Sequence, residues 1–294
     1  MYRGVIQKSV RVSDFRGCSH ISRVTSDRVW ISYYGNLILT NTKGEVLNHV
    51  TDGGHNLWGV HTVNFDGDLI YIDNELNISK LSTENKEKTT IIKYNTAPWE
   101  PRSVYSSPST GDLLVGMSYY THYKKTGKVG TFRRDTETAT GKVVRYNSTG
   151  ENIQTIQHDN ITGQGLYSDP MYITENRNGD VIVSDGLRRV VVVTDRDGNY
   201  RFSYKGTPSG SVLGPLGICT DALSHILVSV WRTNSVQMLD CDGKYMTEIH
   251  TLHHGIYSPF GLSYDDDSHL LWVGSQHSTV YIYRVVDTDS LTGK

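Results

Sequence analysis

Residues 179–202 read GDVIVSDGLRRVVVVTDRDGNYRF. Two short β-branched runs, 181–183 and 190–193, are separated by a polar turn, and a second turn, RDGN, leads into a third run. Short apolar runs bounded by turn residues read as strands. The same shape recurs at SDRVWISYY (26–34), GDLIYIDN (67–74), GDLLVGMS (111–118), SHILVSVW (224–231) and SHLLWVGS (268–275). That makes six copies.

Each copy has similar neighbours. A strand-like segment precedes it, as in HTVNF, RSVYS, PMYIT, LGICT and FGLSY. A third strand follows (LILTN, ISKLS, VVRYN, VVVVTD, SVQMLD, TVYIYRV), then a Gly- or Asn-bearing turn, then a more polar fourth strand such as VLNHV, NIQTI or YMTEI. Gly and Asn suit tight hairpins because these require positive φ. The unit is therefore four antiparallel strands with a period of roughly 40–45 residues, the pattern of propeller blades. The sixth unit lacks a fourth strand, while GVIQKSVRV (4–12) is a strand without a blade. Pairing the two closes the ring and removes an open edge.

The expected fold is an all-β, six-bladed β-propeller forming one domain over residues 1–294. The blades are expected at about 20–54, 55–99, 100–165, 166–212, 213–256 and 257–285 plus 4–12. A β-sandwich or stacked barrels would not need six equivalent units. The third unit carries extra residues, KKTGKVGTFRRDTETATG, which read as an added hairpin.

DPMYITENRNGDVIVSDGLRRVVVVTDRDG (169–198) and GPLGICTDALSHILVSVWRTNSVQMLDCDG (214–243) resemble NHL-repeat units, and SPFGLSYDDDSHLLWVGSQHSTVYIYRV (258–285) is a partial match. DGLRR and WRTNS stand where that family has its Asn-His-Leu triplet. The resemblance implies a non-enzymatic recognition module, like the C-terminal propeller of tripartite-motif ubiquitin ligases, which selects protein or RNA targets.

Bulk composition fits a folded chain: 37% hydrophobic, 20% charged, net charge −2. That balance does not demand a polyanionic partner. Cys18, Cys219 and Cys241 show no paired spacing, which suits a reducing, cytoplasmic setting. No apolar run is long enough to span a bilayer, so no membrane partner is expected.

Strand alternation sorts the loops by face. The loops between second and third strands share a face with those between blades. That face collects Tyr33, Tyr34, Trp58, Trp99, Arg102, Tyr119, Tyr120, Tyr123, Tyr167, Arg188, Arg189, Trp231, Arg232, Tyr257 and Phe260. Trp, Tyr and Arg dominate binding hot spots, so these are the expected ligand-binding residues, with a protein or peptide as the first partner. Packing between blades is the competing role for each. The face also carries nine basic residues (Arg102, Lys124, Lys125, Lys128, Arg133, Arg134, Arg188, Arg189, Arg232) against seven acidic (Asp73, Glu75, Glu100, Asp135, Glu137, Asp169, Asp185). So thin an excess places single-stranded or stem-loop RNA second.

Six-bladed propellers also include lactonases and lyases with an axial metal, a third reading. Asp73, Asp169, Asp185 and His61 are its candidate ligands, but their spacing commits them to no metal or other cofactor. The HTLHH run (250–254) reads as a solvated loop, and no serine sits in a nucleophile-elbow pattern. The sequence alone therefore assigns no catalytic residue.

Overall fold

A computed structural model describes residues 2–287 except 14, 55–58, 121–122, 125–132, 135–138, 208–209 and 211. It contains six four-stranded antiparallel sheets. Blade 1 is His20–Thr25, Arg28–Tyr33, Asn36–Asn41 and Val46–Val50; blade 2 is His61–Val63, Leu69–Ile72, Ile78–Leu81 and Lys88–Ile92. Blade 3 is Glu100–Ser106, Leu113–Tyr120, Ala139–Tyr146 and Asn152–Ile156; blade 4 is Pro170–Glu175, Val181–Asp185, Val190–Thr194 and Tyr200–Tyr204. Blade 5 is Pro215–Thr220, Ile226–Val230, Ser235–Leu239 and Tyr245–His250. Blade 6 is Pro259–Asp265, Leu270–Ser275, Thr279–Asp287 and the first strand of the chain, Tyr2–Arg11. First strands of consecutive blades touch all the way round, including blade 6 against blade 1, so the ring is closed.

Burial follows the grading of the sequence. Val181–Asp185 and Ile226–Val230 are buried throughout, whereas Lys88–Ile92 is exposed or half-buried, as is Tyr200–Tyr204 apart from buried Tyr204. Apolar side chains meet between blades. Ile182, Val191 and Val193 of blade 4 pack on Ile218, Ile226 and Val228 of blade 5. Each such side chain contributes roughly 1.5–3 kcal/mol by leaving water. The outer turns repeat one device. Asp195 Oδ1 accepts the N–H groups of Asp197 (3.0 Å) and Asn199 (2.8 Å), and Gly198 takes φ +86°. Asp240 does the same for Asp242 and Lys244. The D-x-D-G spelling is thus an Asx turn, with the carboxylate replacing a backbone acceptor.

The closing strand pairs antiparallel with Thr279–Asp287, from Tyr2 opposite Asp287 to Arg11 opposite Thr279, with an irregularity between Ile6 and Lys8. Val10 joins Val280, Ile282 and Trp272 in a cluster with Val29, Ile31 and Ile38 of blade 1, so the strand is held by packing as well as hydrogen bonds.

Hydroxyl groups stitch every seam near the axis. Ser22 Oγ donates to the His61 carbonyl (3.2 Å), and Thr62 Oγ1 accepts the Ser106 N–H (3.3 Å). Ser103 Oγ donates to the Pro170 carbonyl (2.8 Å), and Thr220 Oγ1 to the Glu175 carbonyl (3.3 Å). Ser229 Oγ donates to the Phe260 carbonyl (2.6 Å), and Ser263 Oγ accepts the Arg23 N–H (3.3 Å). Short hydroxyl side chains on the first and second strands thereby bond backbone groups of the neighbouring blade.

The expected addition in blade 3 includes a short antiparallel pair, Tyr123–Lys124 with Arg133–Arg134; most of its remaining residues lie outside those described. A 3-10 turn at Leu252–His254 is the one helical element among the described residues, and no helix there is long and apolar enough to cross a membrane.

The seam bonds lead to a stability prediction. Ser103 is fully buried, so Ser103→Ala leaves the Pro170 carbonyl without that donor. It should lower the unfolding free energy by ~1–3 kcal/mol in urea titration. An unchanged midpoint would show that this seam bond adds nothing.

Candidate functional site

Residues 185–189 serve one corner of the ring. Asp185 closes the second strand of blade 4 and is fully buried. Its Oδ2 accepts the N–H groups of Ser168 (2.6 Å) and Asp169 (3.1 Å), and its Oδ1 that of Arg188 (2.9 Å). Burial raises its pKa, the neighbouring Asp169 charge adds to that, and the three N–H donors oppose it. Asp185 is thus a clamp that fixes the entrance of blade 4. The clamp holds Asp169 at the inner end of the blade. Asp169 Oδ1 accepts from Arg102 Nε (3.2 Å) and Ser118 Oγ (3.1 Å), so carboxylate and guanidinium form a buried pair across blades 3 and 4.

Beside this pair lies a cavity of 620 Å³ between blades 4, 5 and 6. Asp169, Met171, Gly186, Leu187 and Arg189 line one side. Gly214, Pro215, Leu216, Trp231, Arg232, Ser258, Phe260 and Gln276 line the other. The Arg232 guanidinium lies over the Trp231 ring, 4.6 Å from its centroid. Arg189 sits at φ +56° in the hairpin turn between the second and third strands.

Four of the sequence-derived binding residues therefore meet here: Arg189, Trp231, Arg232 and Phe260. The others disperse. Tyr33 and Tyr34 line a separate hollow over blade 1 with Phe15, Arg16 and His49. Trp99 packs between blades 2 and 3 under the Lys142 ammonium, 4.2 Å from the ring centroid. Tyr119 contacts Trp99, and Tyr120 lies by Arg102. Arg102 is buried in its ion pair, and Tyr167 is buried in the blade 3–4 core, so neither offers its side chain to a ligand as the sequence suggested. Arg188 donates to the Gly165 carbonyl. Tyr257 is exposed beside His277. Trp58 and the Tyr123 side chain lie outside the described residues. Sequence reasoning missed Met171, Leu187, Leu216 and Gln276, whose residue types carry no binding signal.

The axis itself is plugged on this face. The Tyr172 hydroxyl of blade 4 donates to the Ser19 carbonyl next to blade 1, on the opposite side of the ring (2.7 Å). His20 and His61 pack beside it, with ring centroids 4.5 Å apart. Burial pushes the His20 pKa down to about 3; burial and then the His20 charge push His61 well below its ordinary value. A second cavity of 580 Å³ extends from His20 to the strand-one-to-two turns of the other face.

An axial metal finds no matching donor set. Asp169 is matched by Arg102, Asp73 accepts from Ser79, Asn77 and Lys88, and Asp185 holds backbone N–H groups. Among the described residues no three His, Cys, Asp or Glu converge as metal ligands. In the HTLHH run, His254 meets the Tyr283 hydroxyl (3.1 Å) and His253 stacks on His250. The three cysteines are free, with Cys18 and Cys219 buried and their thiol pKa values raised by burial.

No protein-family model matches this chain, and no curated protein does. Solved structures do. A virginiamycin B lyase from Staphylococcus aureus is similar at 13% identity with TM-score 0.64, over 97% of this chain and 100% of that one. A gluconolactonase from Xanthomonas campestris is similar at 12% identity with TM-score 0.66, over 96% and 99%. A streptogramin B lyase is similar at 14% identity with TM-score 0.63, over 95% and 97%. Identities this low carry the six-bladed fold. The activities named among these proteins are enzymatic, and that overturns the expectation of a non-enzymatic recognition module.

The histidine plug has a pH signature. Both rings stay neutral in the fold, with pKa values below the unfolded value of about 6.5. Their contribution is therefore complete above about pH 6.5 and is lost as pH falls toward the folded values. Thermal melts should show stability declining from pH 6.5 to about 4, and a His20→Phe/His61→Phe variant should flatten that decline. An identical pH slope in the variant would remove the plug as its cause.

Proposed function

We propose that this chain is an enzymatic propeller whose substrate enters the cavity between blades 4, 5 and 6. There Asp169 serves as the proton-transferring carboxylate. One observation carries the reading: among the described residues Asp169 is the only acid on the cavity wall, and it is oriented by Arg102 and Ser118 rather than left to rotate. A fixed carboxylate beside a mostly apolar wall suits general acid–base chemistry, since position matters as much as pKa. Arg189 and Arg232 stand on the same wall, where guanidinium groups attract negative charge on a bound substrate.

The reaction class that fits is the opening of an ester or lactone. Asp169 accepts a proton from water, or from a carbon next to the carbonyl. The carbonyl oxygen gains charge as the bond to its carbon forms, and the leaving oxygen takes the proton back. A gluconolactonase among the structural neighbours supports looking there first. A peptide-like substrate presenting a carboxylate and an apolar side chain would use the same contacts. The blades at 169–198 and 214–243 remain, in our reading, NHL-type in spelling, and three free cysteines favour a cytoplasmic setting.

A panel of aliphatic and aromatic lactones and esters tests this. At least one should be turned over, with Asp169→Asn reducing kcat/KM by roughly 10²–10⁴-fold. Breaking a buried pair is destabilising, so the double variant Asp169→Asn/Arg102→Gln separates lost chemistry from lost fold. The proposal is wrong if no member of the panel reacts, or if either folded variant keeps the full rate.

A further inference from the structure

We infer that the substrate of this cavity carries a carboxylate attached to an aromatic or branched apolar body. This rests on the cavity being the reaction site and adds the substrate's chemical class.

The first support is electrostatic. Arg189 and Arg232 come from adjacent blades and face one cavity. Among the described residues neither has an ion pair with an acid. The one carboxylate on the wall among the described residues, Asp169, is matched by Arg102, with both side chains almost completely buried. The wall therefore carries two positive charges without local compensation. Several other arginines of this protein are paired with acids: Arg145 with Glu175, Arg201 with Asp180 and Asp242, Arg23 with Asp265. Both arginines are exposed at the rim of the hollow, where an incoming anion meets them. A carboxylate matches the planar donor fork of guanidinium in two parallel hydrogen bonds.

The second support is organisation. The Arg232 guanidinium is stacked on Trp231, which limits the rotamer freedom a ligand would otherwise have to freeze. Arg189 is carried on a tight hairpin turn whose first residues are held by Asp185. Both cations are presented on rigid elements.

The third support is shape. Between the arginines the wall is apolar, from Met171, Leu216, Phe260 and the Trp231 ring. Two glycines keep it open. A Cβ on Gly186 would lie 1.8 Å from Met171 Sδ, and one on Gly214 would lie 2.6 Å from Trp231 Nε1. Any side chain there would displace Met171 or the indole from the wall. The space is thus kept for a flat or branched apolar group next to the charged head.

The test uses the whole chain and two probes of equal shape, 3-phenylpropionate and 3-phenylpropan-1-ol. The readout is the indole N–H resonance of Trp231, assigned with Trp231→Phe. The carboxylate should shift this resonance in a saturable way, and its affinity should fall as salt rises. Arg189→Met and Arg232→Met should each weaken it by roughly tenfold, while any weaker binding of the alcohol stays unchanged. If both probes bind equally and the arginine variants lose nothing, the carboxylate class is overturned while the cavity survives as a ligand site. If neither probe moves Trp231, both the class and the cavity reading fall.

Discussion

The pairing of Tyr2–Arg11 with Thr279–Asp287 is the constraint on which the remaining structure depends. A four-stranded blade has two faces to cover and cannot cover them alone. In a ring every face is covered, provided the last blade meets the first. Here the chain's first strand completes the last blade, and Val10 carries that blade's core directly into blade 1. The closure ties the ends of the sequence together over the longest loop the chain can form, whose entropy grows only slowly with length. Near the axis a hydroxyl bond repeats at each of the six seams, so the ring is closed by packing outside and by hydrogen bonds inside.

Closure also determines what each face can offer. On one side of the ring the Asp185 clamp sets Asp169 beside the cavity, and the hairpin turns of blades 4 and 5 bring Arg189 and Arg232 to it. The axis behind is filled by Tyr172, His20 and His61, so the open space on this face lies off-axis, between blades. The other face has the axial cavity, but acids near its mouth are matched by neighbours: Glu175 by Arg145, Asp266 by Arg177, Asp221 by His225. The cavity of blades 4 to 6 is different because its cations are unmatched.

The blade pattern was legible because strand period, turn chemistry and repeat length agree. The runs at 181–183 and 226–228 are buried as their composition demands, and the missing sixth outer strand pointed directly to residues 4–12. The site was only partly legible. Chain order places a residue on a face but not at an angle around the ring, so fifteen residues were grouped that the fold spreads over several blades. Arg102 and Tyr167 sit at the right height but turn inward, Arg102 because Asp169 neutralises it and Tyr167 because its ring fills the blade 3–4 core. In the sequence Asp169 stands only as a candidate metal ligand; its pairing with a residue 67 positions away cannot be read from spacing. The seam hydroxyls were invisible too, since a serine in a strand has no spelling that distinguishes a stitch from a surface residue.

Hydrogen exchange of the last strand tests the closed ring most directly. The Thr279–Asp287 amides that face Tyr2–Arg11 should be protected to the level of Val181–Asp185 in blade 4, since both are interior strands of a complete sheet. Rapid exchange of those amides, with blade 4 still protected, would mean that the ring is open at the sixth blade and that the two faces are not the ones described.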